Sequence, residues 1–234
     1  MNRGFSTAPF SDLNALQARA AVFDVDYTIL KHSSTIAFAK TAIRNKLLHP
    51  MQLLASAKLH LQARLGLANS ENLPSHLPFL EGMSRELLDE LAEEVFLRYM
   101  VKGIYPEAIA LIRELQSRGC LVILATASLD FLISPLAAFL HIPSSHVLTT
   151  HLGYEKGLCT GRVEGRHCIG LEKLHRAAKL LKDRRIPNSS AAFFTDSIMD
   201  LGMMIRVGYP VATNPDILLR RKAKRNGWEI LLFR

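Results

Sequence analysis

Short apolar runs, each stopping on an acid or a hydroxyl, constrain this chain more than any other feature. Residues 20–24, Ala-Ala-Val-Phe-Asp, read as a buried strand whose carboxyl end carries chemistry. A second run, CLVILA at 120–125, follows a helical stretch at 106–118 and the stop signal of Gly119. SAAFFT at 190–195 is a third run, 207–212 after a short helix is a fourth, and 229–233 is a candidate last strand. Strands alternating with helical segments predict an α/β fold, a mainly parallel sheet flanked by helices.

Only the first connection breaks that rhythm. About 95 residues without a strand signal separate the first two runs, far more than one crossover helix needs. Ile36, Ala39, Ile43 and Leu47 recur at helical spacing, Pro50 interrupts, and Met51, Leu54, Leu61 and Leu65 resume the stripe. After a connection at 69–78 that contains Pro and Asn, residues 84–99 predict another helix, with Ser84 as its N-cap and acids in its first turns. The expectation is an all-helical insert at 31–104 on a core formed by 1–30 and 105–234.

Hydrophobic residues at 49% and charged residues at 21% are ordinary for a folded soluble protein and exclude wholesale disorder. No apolar stretch approaches the roughly 20 residues that span a bilayer. The N-terminal segment carries Asp12 and no continuous apolar stretch, so it does not read as a secretory signal, and a cytoplasmic location is expected. Cys120, Cys159 and Cys168 are odd in number and lack CxxC spacing, so neither a metal site nor a disulfide framework is expected, and Cys120 reads as core. A net charge of +8 attracts anions, a class that takes in phosphate esters, nucleic acid and acidic lipid alike.

The chemistry lies at the strand ends. Asp24-Val25-Asp26-Tyr27-Thr28 puts two carboxylates at i and i+2 where a strand curls into a loop, so one can attack while the other moves protons. Alone, the pattern is equally a solvated turn with a Thr cap. The second run ends in Ala125-Thr126-Ala127-Ser128, whose hydroxyl and backbone N–H groups suit a phosphate oxygen or simply an N-cap. Lys173, in Gly170-Leu171-Glu172-Lys173, can neutralise a phosphoryl oxygen or stand solvated in a first helical turn. The third run ends in Thr195-Asp196-Ser197-Ile198-Met199-Asp200, an acidic pair where Mg²⁺ ligands are wanted, or an Asp capping the next helix. Four such coincidences, each at or just after a strand end, favour the chemical reading of all four.

That order, Asp-x-Asp-x-Thr, Thr, Lys, Asp-x-x-x-Asp, resembles the four motifs of the haloacid dehalogenase superfamily, over most of the chain from residue 20 onward. The helical insert between the first and second motifs resembles the C1-type cap of subfamily IB, the group of phosphoserine phosphatase. Phe79-Leu80-Glu81-Gly82-Met83-Ser84, Tyr105-Pro106, Thr160-Gly161, PVATNPD at 210–216 and Asn226-Gly227-Trp228 add to the similarity with phosphatase-like hydrolases of that subfamily. The resemblance implies a Rossmann-like core and a Mg²⁺-dependent phosphatase. It implies that Asp24 attacks phosphorus, and that Asp26 protonates the leaving alcohol and then activates water on the aspartyl phosphate. Mg²⁺ would be held by Asp24, the backbone carbonyl of Asp26, and Asp196. Thr126, Ala127 and Lys173 would bind the transferring phosphoryl group, Thr28 and Ser197 would support the loops, and Asp200 would orient Lys173 or a metal-bound water. An acid at position 26 suits ester hydrolysis, whereas the dehalogenases and ion-pumping ATPases of the superfamily lack one there.

Three positions depart from phosphoserine phosphatase. Ser33 stands where an ammonium-binding Glu is expected, Thr195 replaces the usual Gly before the metal-binding Asp, and Met199 replaces the usual Asn before the last Asp. The expected substrate is a small phosphomonoester of open identity: a phospholipid head group, histidinol phosphate, phosphoserine, or a sugar or nucleoside monophosphate. Residues 27–70 contain no Asp or Glu but carry Lys31, Lys40, Arg44, Lys46, Lys58 and Arg64, which suits extra negative charge on a substrate, an anionic lipid or membrane surface, or a merely solvated face. Arg220-Arg221-Lys222-Ala223-Lys224-Arg225 reads first as a surface helix, and no nucleic-acid partner is expected because the basic clusters lack interleaved aromatics. His32, beside the active loop, touches substrate or serves structure. Two rival readings share the motifs: a phosphotransferase using the same phosphoenzyme, and a binding protein that has kept the fold without turnover. The apolar stripes leave the oligomeric state open.

Overall fold

The computed structural model describes residue 10 and residues 12–48 and 73–234. In chain order its main elements are β1 (Ala20–Phe23), α1 (Ser34–Arg44), α2 (Arg85–Val95), α3 (Pro106–Ser117), β2 (Leu121–Leu129), α4 (Asp130–Phe139), β3 (Val147–Glu155), β4 (Leu158–Glu164), α5 (Leu171–Asp183), β5 (Ala191–Thr195), β6 (Tyr209–Thr213), α6 (Ile217–Asn226) and β7 (Glu229–Leu231). The strands form one sheet in the order β4-β3-β2-β1-β5-β6-β7. Every pairing is parallel except the β3–β4 hairpin.

Position in the sheet explains composition. β1 lies at the centre with helices over both faces, so all four of its residues are buried and the run is apolar throughout. Ala21 and Phe23 join the core on one face, Ala20 and Val22 the core on the other. Phe23 stacks on Phe194 of the neighbouring β5 at a centroid distance of 4.2 Å. Truncating either ring to Ala is expected to cost about 3–5 kcal/mol.

The insert between β1 and α3 is helical among the described residues. Ser84 caps α2 by accepting from the Leu87 N–H at 3.2 Å, and Leu88, Leu91, Ala92 and Val95 give it one buried stripe at helical spacing. Beyond Val95 the helix passes through a π-type turn at Phe96–Met100 before Val101–Gly103. Ser33 caps α1 through the Ile36 N–H at 3.4 Å. Of the apolar stripe expected on α1, Ala39 is buried while Ile36, Ile43 and Leu47 are only partly covered; Ala37, Phe38, Thr41 and Ala42 share the buried face. Phe38 meets Phe131 of α4 edge-on at 5.5 Å. The continuation of the stripe from Met51 to Leu65, with Lys58 and Arg64, lies outside the described residues.

The ends of the insert are tied together. Lys31 N–H donates to the Gly103 carbonyl at 2.7 Å, and Tyr105 N–H to the Ile29 carbonyl at 3.0 Å. Gly103 fits there because a Cβ would fall 2.2 Å from His32 Nε2. A second tie runs along β4. Leu77 N–H donates to the Gly161 carbonyl at 2.6 Å, Val163 N–H to the Ser75 carbonyl at 2.8 Å, and Cys159 N–H to the Met83 carbonyl at 2.8 Å. These bonds pair an edge strand that would otherwise stand open.

The hairpin β3–β4 was not legible in the run pattern. β3 mixes apolar residues with Thr149 and Thr150, both buried, and alternates poorly. Its turn is a two-residue loop, Lys156 and Gly157, with φ of 51° and 82°, the doubly positive geometry that tight hairpins favour. Strand β2 also runs further than expected, through Thr126 and Ser128 to Leu129, so neither hydroxyl caps α4; the N-cap position is Leu129, which makes no side-chain cap bond. No described helix is long and apolar enough to cross a membrane.

Candidate active site

Parallel pairing gathers the motif residues at one edge of the sheet. Phe23 pairs in register with Leu124 on one side and Phe194 on the other, so Asp24 and Asp196 leave the ends of their strands beside Thr126, which lies on β2 just past the end of its pairing with β1. Past Asp24 the chain curls tightly: the N–H groups of Thr28, Ile29 and Leu30 converge on the Val25 carbonyl at 3.3, 2.9 and 3.0 Å, and Tyr27 takes a left-handed φ of 59°. This curl turns Asp26 back toward the strand ends. Thr28 is fully buried, and its hydroxyl has no partner among the described residues.

Lys173 reaches this edge from the first turn of α5. Its Nζ lies 2.8 Å from Asp24 Oδ1 and 2.7 Å from Asp200 Oδ2, and Thr195 Oγ1 donates to the same Asp200 oxygen at 2.8 Å. Burial disfavours the Lys173 ammonium, but Asp200 and Asp24 outweigh it and hold its pKa above the ordinary lysine value. Burial is also the largest influence on Asp24, pushing its carboxyl up from 3.8 to about 6 against the pull of Lys173, with Asp200 adding repulsion. Thr195, at the position where a Gly is usual, thus fixes the carboxylate that in turn fixes Lys173.

Asp26 has different company. Its Oδ1 accepts from the Ser34 N–H at 2.9 Å, and its Oδ2 from the hydroxyls of Ser33 at 3.3 Å and Ser128 at 3.4 Å. Ser33, where an ammonium-binding carboxylate is usual, thus holds Asp26 and caps α1. On β2, Thr126 and Ser128 are buried while Ala127 between them is exposed, and Ser128 N–H donates to Thr126 Oγ1 at 3.2 Å. The Ala127 carbonyl is fixed by Thr150 Oγ1 at 2.8 Å. Ser197 caps the turn Ile198–Asp200 through the Met199 N–H at 3.3 Å.

Two contributors escaped sequence reasoning. Asp216 donates its N–H to the Asp196 carbonyl at 2.7 Å, accepts from the Ile198 N–H at 2.8 Å, and caps α6 through the Leu219 N–H at 2.7 Å. The only signal was its place in the PVATNPD segment. Ser34 had none. His32 faces away from these groups, with Nε2 3.0 Å from the Tyr99 carbonyl, and so serves the insert. All three cysteines are buried and free.

Among the described residues, the buried charged side chains are Asp24, Asp196, Asp200 and Lys173, three carboxylates and one ammonium. The excess suits a hard divalent cation with oxygen ligands. No three His, Cys, Asp or Glu side chains among the described residues form a ready-made metal cage. Mg²⁺ does not require one, since it is commonly bound through one or two carboxylates, waters and substrate phosphate.

Residues 21–204 match the family described as haloacid dehalogenase-like hydrolase. A phosphoserine phosphatase of Mycobacterium tuberculosis is 31% identical over 239 residues, covering 99% of this chain and 75% of that protein. A histidinol-phosphatase of Neisseria meningitidis is 28% identical over 220 residues, covering 92% of this chain and 98% of that protein. A Bordetella pertussis protein of unknown function has a TM-score of 0.79 at 25% identity, covering 92% of this chain and 98% of its own. Phosphoserine phosphatase bearing a phospho-aspartyl intermediate analogue has a TM-score of 0.69 at 20% identity over 93% of this chain and 94% of its own, a likeness of fold. With the family's motif order at one sheet edge and its match running through that edge, this chain belongs to the haloacid dehalogenase-like hydrolases.

Proposed function

We propose that this hydrolase is a Mg²⁺-dependent phosphatase that acts on a small phosphomonoester through an aspartyl phosphate on Asp24. The observation that carries the reading is the difference between two carboxylates of one loop. Asp24 is buried against an ammonium, whereas Asp26 is held by three uncharged donors. Paired carboxylates in contrasting environments are the arrangement that divides nucleophile from acid and base.

In this reading Asp24 attacks phosphorus in line, and Asp26 gives its proton to the leaving alcohol. Asp26 then takes a proton from the water that hydrolyses the acyl phosphate. Lys173 neutralises one phosphoryl oxygen, while the Thr126 hydroxyl and the exposed backbone at Ala127 bind the others. Asp200 and Thr195 hold Lys173 in place. Asp24, the Asp26 carbonyl and Asp196 would hold Mg²⁺, which when bound would supply positive charge that offsets repulsion between the anionic nucleophile and ester. Ser197 and Asp216 hold the loop that carries Asp196.

The division into a core of 1–30 with 105–234 and a helical cap of 31–104 belongs to the same proposal, and the paired segments 29–31 and 103–105 support it. Relatives named phosphoserine phosphatase and histidinol-phosphatase support a small phosphomonoester. Ser33 offers no carboxylate to an ammonium group, so the substrate of the proposal is not tied to a zwitterionic amino acid. Release of inorganic phosphate from a panel of monoesters, with Mg²⁺ or EDTA, tests the reading against Asp24→Asn. Metal-dependent turnover lost in the variant is expected. Full activity in EDTA would remove the metal from the account, and transfer to added alcohols in place of water would make the enzyme a transferase.

A further inference from the structure

The bonds around Asp26 form a directed ring. Ser128 donates its one hydroxyl proton to Asp26 Oδ2 at 3.4 Å, and Ser34 Oγ lies 2.7 Å from Ser128 Oγ. With the Ser128 proton committed to the carboxylate, Ser34 is the donor of that 2.7 Å bond. The Ser34 N–H closes the ring on Asp26 Oδ1 at 2.9 Å. Ser33 adds a second hydroxyl to Oδ2 at 3.3 Å. Ser33, Ser34 and Ser128 are 1%, 0% and 4% exposed, so bulk water does not compete for these bonds.

Lone pairs decide what the ring does. Each carboxylate oxygen accepts about two hydrogen bonds. Oδ2 has both places filled by Ser33 and Ser128, whereas Oδ1 has one filled by Ser34. Among the described residues, the open place is on Oδ1.

We propose that Ser34 and Ser128 are positioning residues that fix the carboxyl of Asp26 and make Oδ1 the oxygen that carries the transferred proton, the Ser128 hydroxyl acting directly and the Ser34 hydroxyl through it. The inference rests on the reading of Asp26 as general acid and base. The ring joins the first turn of α1, the active loop and β2, so the acid is oriented by both the insert and the core.

Leaving-group dependence of the phosphorylation step, read as kcat/KM, tests it, because there a well-oriented proton donor matters for an alkyl phosphate and hardly at all for p-nitrophenyl phosphate, whose leaving group departs without protonation. In Ser128→Ala, kcat/KM, which reports formation of the phosphoenzyme and not its later hydrolysis, is expected to fall about 10-fold or more for the alkyl ester, a fraction of the 10²–10⁴ that acid–base catalysis supplies. For p-nitrophenyl phosphate the expected loss in kcat/KM is under about threefold, while kcat falls for both esters to the extent that hydrolysis of the phosphoenzyme limits it. Ser34→Ala should show the same selectivity in weaker form, and the double variant should lose no more than Ser128→Ala alone, since both act on one bond chain. Equal losses on both esters, or additive losses in the double variant, overturn the proposal. Asp26→Asn serves as the reference: if it lacks the leaving-group selectivity, the acid–base reading itself has failed, whereas selectivity in Asp26→Asn but not in Ser128→Ala removes the positioning role alone. Should Ser128→Ala not fold, Ser34→Ala and Ser33→Ala carry the same comparison.

Discussion

Removing the Lys173 ammonium is the most revealing perturbation of the site's electrostatics. The side chain is 4% exposed and sits between Asp24 at 8% and Asp200 at 3%, with bonds of 2.8 and 2.7 Å. Lys173→Met keeps the bulk of the side chain and leaves two buried carboxylates facing each other without a cation. Breaking one side of a buried ion pair costs about 3–5 kcal/mol. In a domain of this size each kcal/mol moves Tm by roughly 2–4 °C, so a fall on the order of 10 °C is expected by circular dichroism in EDTA. The decisive comparison is a change of sign. Asp200→Asn should destabilise the parent chain, whose lysine loses a partner, but stabilise Lys173→Met by relieving repulsion. A Tm shift under about 2 °C, or an Asp200→Asn effect of the same sign in both backgrounds, would refute the view that Lys173 neutralises this site.

Asp24 gives a pH dependence. Its carboxyl, pushed up from 3.8 to about 6 mainly by burial, binds a proton more tightly folded than unfolded, so its contribution to stability is present below about 4 and lost as pH rises toward 6. In EDTA, stability relative to Asp24→Asn should therefore fall by about 2–3 kcal/mol between pH 4 and 7, from about 1.4 kcal/mol per unit of pKa shift; chemical denaturation showing a constant difference contradicts this. Burial raises the Cys120 thiol to about 12 and Cys168 to about 11, so the native chain should react slowly with Ellman's reagent at pH 8 and release all three thiols once unfolded. Gly103→Ala places a Cβ against His32 and is expected to destabilise by about 1–3 kcal/mol, with His32→Ala recovering part of the loss; an unchanged urea midpoint would show that the stem yields.

The core was legible because strand burial writes itself into composition. A central strand covered on both faces needs an unbroken apolar run, and β1, β2 and β5 show one. The edge hairpin needs none, and buried Thr149 and Thr150 hid it; its turn at Lys156 and Gly157 was the available clue. Among the site residues, those at strand ends were visible because the chemistry demands acids there. Ser33, Ser34, Ser128 and Asp216 act by aiming other groups, and a serine or capping aspartate has no signature that separates aiming from ordinary capping. The acid-free stretch 27–70 hid one pairing. Arg44 is paired with Glu94 of α2, so tertiary structure supplies a counter-ion that sequence proximity did not. In contrast, Arg220, Arg221, Lys224 and Arg225 lie exposed on α6, as a surface helix requires.

The central claim is that Asp24 becomes phosphorylated during turnover, and acid quenching tests it most directly. The enzyme would be mixed with a hydrolysed monoester and Mg²⁺, stopped in acid within one turnover, digested and mapped by mass spectrometry. One phosphoryl group on the peptide containing Asp24, absent in Asp24→Asn, is the expected result. Undiminished turnover in Asp24→Asn, or a phosphoryl group trapped on another residue, would contradict the account.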